Sequence, residues 1–244
     1  MFQQLDQRRR RIANIARSLA RIQAYFGFRA VLVDVGHRVM ARVGVRRFVA
    51  GVLPPDRIDP RWRENPHGYA VRFLSEAEIR SLSQTHPELV SPEFVARALD
   101  KQDRCLAIFA AERLVWFCWY SQLPTEQGDG PVVSFNSDYV YAYKAYTAVE
   151  FRGRRLNALG TACALALLEK EGCKGLLAFG EANNFASRQS ALRMGGRLFG
   201  SVWQLCAGGR CVWLSTRGCR PYGFTFRPPP DSAALTGSHR LGTS

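Results

Sequence analysis

Lysine is almost missing from this chain. Among 244 residues only Lys101, Lys144, Lys170 and Lys174 occur, so the 34 basic residues are nearly all arginine, set against 20 acids for a net charge of +14. A GC-rich genome that favours arginine codons is one explanation of this charge, and an acidic partner (a nucleotide cofactor, RNA or an anionic membrane) is the other. Metal-ligand spacing is also lacking. The seven cysteines are odd in number and scattered, with no CxxC pair and no Cys/His cluster, so no metal is expected. Several cysteines sit inside apolar runs as small hydrophobes, which points to a reducing cytoplasm. No run of about 18 apolar residues exists to cross a membrane, and the first residues lack a secretory-signal pattern. The expected location is therefore cytoplasmic, peripheral at a membrane if the basic segment docks there. A nucleophile-elbow serine, a Walker loop, HExxH and GxGxxG are all absent, which argues against the corresponding hydrolases, NTPases, metalloproteases and dinucleotide dehydrogenases. The four histidines read as incidental: His37 and His67 lie outside the expected core, His86 precedes a proline and His239 is near the C-terminus.

What is present divides the chain into four. Residues 1–53 form a basic, helical extension with eleven arginines in the first fifty residues against Asp6 and Asp34. Ile12, Ile15, Leu19, Ile22 and Phe26 recur at helical spacing, and a second apolar-basic run from Ala30 to Leu53 reads as another helix weakened by Gly36, Gly44 and valine. Packing on the domain or on a neighbouring subunit, docking on a membrane surface and binding nucleic acid are the three readings of this segment. Residues 54–68 are rich in proline and charge, as in a linker. Residues 69–226 form the main domain, and residues 227–244 a disordered tail.

Within the domain, Tyr69–Phe73 alternates like a first strand. Ser75 with Glu78 forms a capping-box pattern, and Ser91-Pro92 opens a second helix. Two apolar runs, Cys105–Ala110 and Leu114–Tyr120, flank Glu112-Arg113 as an antiparallel hairpin. The run from Val132 to Val149 is a long strand broken near Ser134–Ser137. Its alternation sets Asp138, Val140, Ala142, Lys144 and Tyr146 on one face and Tyr139, Tyr141, Tyr143, Ala145 and Thr147 on the other, a tyrosine row suited to packing under a helix. EFRGRRLNALG then leads into an Ala/Leu-rich helix ending at Gly172. Gly175–Glu181 is a buried strand paired in parallel with the long one through a right-handed crossover. Asn184–Met194 is a helix stopped by Gly195-Gly196, and Leu198–Cys206 with Cys211–Thr216 is a closing hairpin. The basic turn before the Ala/Leu helix delivers backbone N–H groups and a positive dipole end, a place for a phosphate.

This order of elements, with EFRGRRLNALG and NNFASRQSALRMGG, resembles the GNAT superfamily of acyl-CoA-dependent N-acyltransferases over residues 69–217. The resemblance implies a mixed α/β (α+β) fold with a mostly antiparallel central sheet flanked by helices. It implies acetyl-CoA or another acyl-CoA as co-substrate, an amine acceptor, and direct attack of the amine on the thioester. The family's R/Q-x-x-G-x-G/A turn binds the pyrophosphate; Arg152 and Gly153 match its start, while Arg155 occupies the middle glycine position and Asn157 the last small one. The arginine side chain must swing aside or itself contact the phosphate. Thr147, Val149, Arg152, Gly153, Arg154, Arg155, Leu156 and Asn157 are the implied cofactor-binding residues on this turn. Asn184 and Ser187 hold the offsets of the second signature. The tyrosine that in many members protonates the leaving thiolate is replaced by Ala191. Candidate bases are Glu181, at the end of its strand, and Asp138. Glu150 reads as a turn residue. These departures keep two alternatives open: a catalytically impaired GNAT-like binding module, and a transferase using aminoacyl-tRNA, which the arginine-rich segment would suit. Partners are thus an acyl-CoA and an unidentified amine, with a membrane surface or acidic partner and a homo-oligomer as further expectations.

Overall fold

The computed structural model describes residues 2–128 and 130–228, with only the backbone described for residues 2–12 and Asn14. The expected tail falls outside the described residues from 229 onward; Arg227 itself ends a short strand.

The chain begins with two helices, α1 (Phe2–Phe26) and α2 (Phe28–Arg42), separated at Gly27, whose φ of +80° is a left-handed value that suits glycine. The next element corrects the sequence reading. Val45–Leu53 does not prolong a helix but forms strand β1. Further on lie β2 (Ala70–Phe73), α3 (Glu76–Thr85), α4 (Pro92–Asp100), β3 (Arg104–Ala110), β4 (Arg113–Ser121), β5 (Thr125–Glu126), β6 (Val132–Ser134) and β7 (Val140–Thr147). The C-terminal half adds α5 (Leu156–Glu169), β8 (Leu176–Glu181), α6 (Phe185–Arg193), β9 (Arg197–Ala207), β10 (Arg210–Ser215) and β11 (Thr225–Arg227).

Eight strands make one sheet in the order β10-β9-β1-β8-β7-β4-β3-β2, antiparallel throughout except for the β7–β8 pair. This is the mixed, mostly antiparallel sheet flanked by helices that was expected. The expected boundary at 54–68 is not what separates extension from sheet, however. β1 lies inside the sheet, laddered to β8 from Phe48↔Glu181 to Leu53↔Leu176 and to β9 from Val45↔Leu205 to Val52↔Arg197. Its valine-rich sequence suits a pleated, half-buried position. The 54–68 segment carries two short 3₁₀ turns.

Each face of the sheet is covered. On one, α5 buries Leu156, Leu159, Leu165 and Leu168 against Trp116 and Ile108. That helix is apolar nearly all round because the sheet lies on one side and the Pro60–Arg63 turn on another. Gly160 permits the contact: a Cβ there would lie 2.2 Å from the Trp116 ring. On the other face, Ile79 of α3, Val95 of α4 and a three-stranded sheet of β11, β6 and β5 cover Phe117, Trp119 and Tyr141. The Ser75–Glu78 capping box and the Ser91 cap both form. Cysteine is not only a filler here. Cys206 and Cys211, opposite each other on β9 and β10, form a disulfide, whereas Cys105, Cys118, Cys173 and Cys219 are free and buried.

Candidate active site

The site grows from a short parallel ladder. β7 and β8 pair only at Val140↔Leu176 and Tyr141↔Leu177, after which the strands part. On its other edge β7 slips by one residue, from Trp119↔Tyr143 to Phe117↔Tyr146. Lys144 takes up the bulge at φ +49°, a left-handed conformation that costs a non-glycine residue about 1 kcal/mol. The bulge also corrects the expected alternation: Tyr146 packs on the same core as Tyr139, Tyr141 and Tyr143, its ring stacked on Phe117 with centroids 5.4 Å apart. The tyrosine row is packing, as its pattern suggested; Tyr141 and Tyr143 are buried.

Where β7 and β8 separate, a cleft of about 230 Å³ opens between Ala142–Ala145, Ala178–Gly180, Thr161 of α5 and Asn184, Ser187 and Ala191 of α6. Through Asn157 and Met194 it joins a hollow of about 670 Å³ bordered by Gly153, Arg155, Ser190 and Arg193. Together they form a groove that follows α6 from its N-cap Asn184 to Arg193 and passes the N-terminal end of α5. Its lining holds Lys144, Arg155, Arg188, Arg193 and Arg197 and, among the described residues, no carboxylate. Tyr25, Phe26 and Trp62 border its outer end, so the N-terminal helix contributes to the site although the resemblance stopped at residue 69. The ring of Phe26 meets that of Phe185 at 5.6 Å.

The turn into α5 is shaped as its sequence suggested, with one difference in how. Gly153 takes φ +81°, and Arg155, the N-cap of α5, takes φ +61°. An arginine thus adopts the backbone conformation that glycine provides without strain. Its guanidinium swings aside, 5.7 Å from the centre of the Trp62 ring, and Arg154 lies 4.8 Å from that of Phe151. No side chain caps α5 and its first turn holds no acid, so the backbone N–H groups of that turn are presented with a positive dipole end. Gly153, Arg155 and Asn157 border the groove, while Leu156 is buried beneath it. Arg152 and Arg154 are exposed beside the turn. Thr147 ends β7, and Val149, 68% exposed, begins the 3₁₀ turn; neither borders the groove. Glu150 pairs with Arg113 and is a turn residue as read. Asn184 caps α6, its Oδ1 accepting from the Ser187 N–H at 3.2 Å, and both side chains border the cleft.

The two candidate bases are not brought there. Asp138 lies before the start of β7, at the closed end of the strand pair, in an exposed ion pair with Lys174 at 2.7 Å. Glu181 turns toward α2 and β1, 3.6 Å from His37 Nε2 and 3.8 Å from Arg46. His37, expected outside the core, has a side chain only 8% exposed.

Two features had no sequence signal. On the opposite face of the sheet, α4 and the β5–β6 segment enclose a hollow of about 710 Å³ that meets the cleft at Tyr143 and Lys144. Tyr143 is held there by a 2.5 Å hydrogen bond from its hydroxyl to Asp103 Oδ2, and Lys101 Nζ lies 2.9 Å from the same carboxylate. Burial, then the Asp103 carboxylate, pushes the Tyr143 hydroxyl well above its ordinary range. Lys144, whose Nζ lies over the Phe94 ring at 4.6 Å, has its pKa lowered by desolvation.

No protein-family model and no curated protein matches the chain. Similar solved structures exist. A GCN5-related N-acetyltransferase from Sphaerobacter thermophilus is 12% identical, with 75% of this chain and 56% of that one covered at a TM-score of 0.48. A GCN5-related N-acetyltransferase-like protein from Streptococcus suis is 15% identical, with 71% and 66% covered at 0.46. The protein AAC(6')-Iy, in complex with the bisubstrate analog CoA-S-monomethyl-acetylneamine, is 12% identical, with 61% and 98% covered at 0.43. The chain spans 58% and 65% of two further matched chains. These are similarities of chain path, and the functional reading rests on the groove.

Proposed function

We propose that the protein is an N-acyltransferase that takes an acetyl or longer acyl group from acyl-CoA and passes it to an amine by direct attack. The observation that carries this reading is the groove itself. It is long, basic and free of carboxylates among the described residues, and it leads from the uncapped start of α5 to the gap between β7 and β8. A pyrophosphate would lie against the N–H groups at Gly153–Asn157, flanked by arginine. A pantetheine arm would follow the cleft past Asn184 to the bulge at Lys144. The acceptor amine would enter from the opposite hollow, so the two substrates would meet across the sheet at Tyr143 and Lys144.

In the transfer the amine nitrogen bonds to the thioester carbonyl carbon, the C–S bond breaks and the thiolate departs. Lys144, at the meeting point of the two hollows, is the base in this reading, in place of Glu181 and Asp138. Desolvation lowers its pKa, which eases loss of the ammonium proton, and the amine so formed accepts the acceptor's proton at Nζ. Ala191 borders the cleft where a thiolate-protonating tyrosine was missed, so the leaving thiolate takes its proton from water. That same alanine favours a second reading, a module that binds acyl-CoA without turning it over. Release of free thiol from acetyl-CoA with an amine panel separates the two: binding with release supports the enzyme, and binding without release supports the module.

A further inference from the structure

Helix α2 is packed with its polar side inward. Asp34 is 1% exposed, accepts from Arg38 Nε at 2.6 Å and from Asn183 Nδ2 at 2.9 Å, and is followed on the same face by His37 beside Glu181. These contacts tie the helix to the end of β8 and to the loop before α6. The opposite side is an exposed apolar stripe: Phe28 (63% exposed), Leu32 (57%), Val35 (41%) and Val39 (51%), continued by Val43 at the C-cap (67%). Spacings of four, three, four and four residues keep these side chains on one face of the helix. A surface helix of a globular domain ordinarily shows the reverse arrangement. The exposed hydrophobic side chains are contiguous, which distinguishes them from the single apolar residues scattered over most protein surfaces.

The charges around the stripe indicate what covers it. On a helical wheel the exposed Arg29 and Arg42 fall on its two margins. The first fifty residues carry eleven arginines against Asp6 and Asp34, and Asp34 is buried. An apolar stripe edged by arginine on an element of strong positive excess complements an anionic lipid surface, where aliphatic side chains enter the acyl boundary and guanidinium groups meet phosphate. Among the described residues no helix is long and apolar enough to cross a bilayer, so the helix would lie in the interface plane. We propose that α2 docks the protein on anionic membranes through Phe28, Leu32, Val35 and Val39, assisted by the arginines of the N-terminal segment. Because α2 is tied to Asn183 and Glu181 next to α6, docking would hold the cofactor groove close to the lipid surface. The proposal stands independently of the acyltransfer reading.

The test is co-sedimentation of the full chain with large vesicles of phosphatidylcholine alone and of phosphatidylcholine with phosphatidylglycerol. Binding is expected to the anionic vesicles, weaker in high salt, and reduced roughly tenfold or more in the double variant Leu32→Ser, Val39→Ser. Arg29→Gln with Arg42→Gln should weaken it severalfold at low salt only. These positions are exposed, so circular dichroism should show unchanged folding in both variants. Leu123→Ser, an exposed residue just after β4, three strands away from β1 in the sheet, is the control and should bind like the natural chain. The proposal is overturned by absence of sedimentation with anionic vesicles, or by binding that the double serine variant leaves intact. It is equally overturned if light scattering shows a dimer that this variant dissociates while vesicle binding is absent, because the stripe then covers a second copy of the chain.

Discussion

At the scale of single residues, strain and charge fall at the places where chemistry is proposed. Arg155 holds a left-handed conformation at the N-cap of α5, and Lys144 holds another at the bulge of β7. Arg155→Gly should raise the protein's stability by about 1 kcal/mol, because glycine takes this conformation without a Cβ clash. Thermal unfolding measures it, and a lower melting temperature would show that the Arg155–Trp62 contact outweighs the strain. The same variant should bind acetyl-CoA more weakly if the guanidinium contributes to the phosphate site. Lys144→Met should lower thiol release about 10²-fold or more while leaving acetyl-CoA affinity little changed. In the natural chain the rate should rise with pH as Lys144 loses its proton. The midpoint should lie below the usual lysine value, because desolvation disfavours the charged form. A pH profile that is the same in Lys144→Met would contradict this role.

Elements were legible in the sequence where local physics decides them. The capping box at Ser75, the Ser91-Pro92 start and the Asn184 cap are side chain–backbone contacts within a few residues, and each forms. The turn at Gly153 was readable from its own residues, and the crossover from β7 through α5 to β8 from the order of the elements. β1 was not, because its strand character comes from partners more than a hundred residues away, β8 and β9, which leave a gap that Val45–Leu53 fills. The bulge at Lys144 depends on register against β4, which no local pattern states. The hollow closed by α4 and the Asp103–Tyr143 pair are likewise tertiary facts, and so are the positions of Asp138, before the start of β7, and Glu181, at the end of β8, whose residue type suggested a base but which face other partners. One element-scale consequence concerns α5. Alanine is normally the better helix former, yet Gly160→Ala should destabilise by about 1–3 kcal/mol, since the added methyl meets the Trp116 ring. Chemical denaturation reads this directly, and a stabilised variant would mean that α5 can shift away from the sheet.

For the whole molecule, the N-terminal segment belongs to the domain that it was expected to precede. β1 occupies the interior of the sheet, and Tyr25 and Phe26 border the groove. A chain beginning at Tyr69 should therefore fail to fold cooperatively, since β8 and β9 would each lose a partner strand. A sharp thermal transition from such a chain would contradict this. The sheet, the basic groove and the two hollows meeting at Lys144 together make one claim, that acyl-CoA is held between α5 and α6. Isothermal calorimetry with acetyl-CoA tests it most directly. The account predicts saturable binding that weakens as salt rises, because phosphates meet arginines and a helix dipole. No detectable heat at millimolar acetyl-CoA would contradict it.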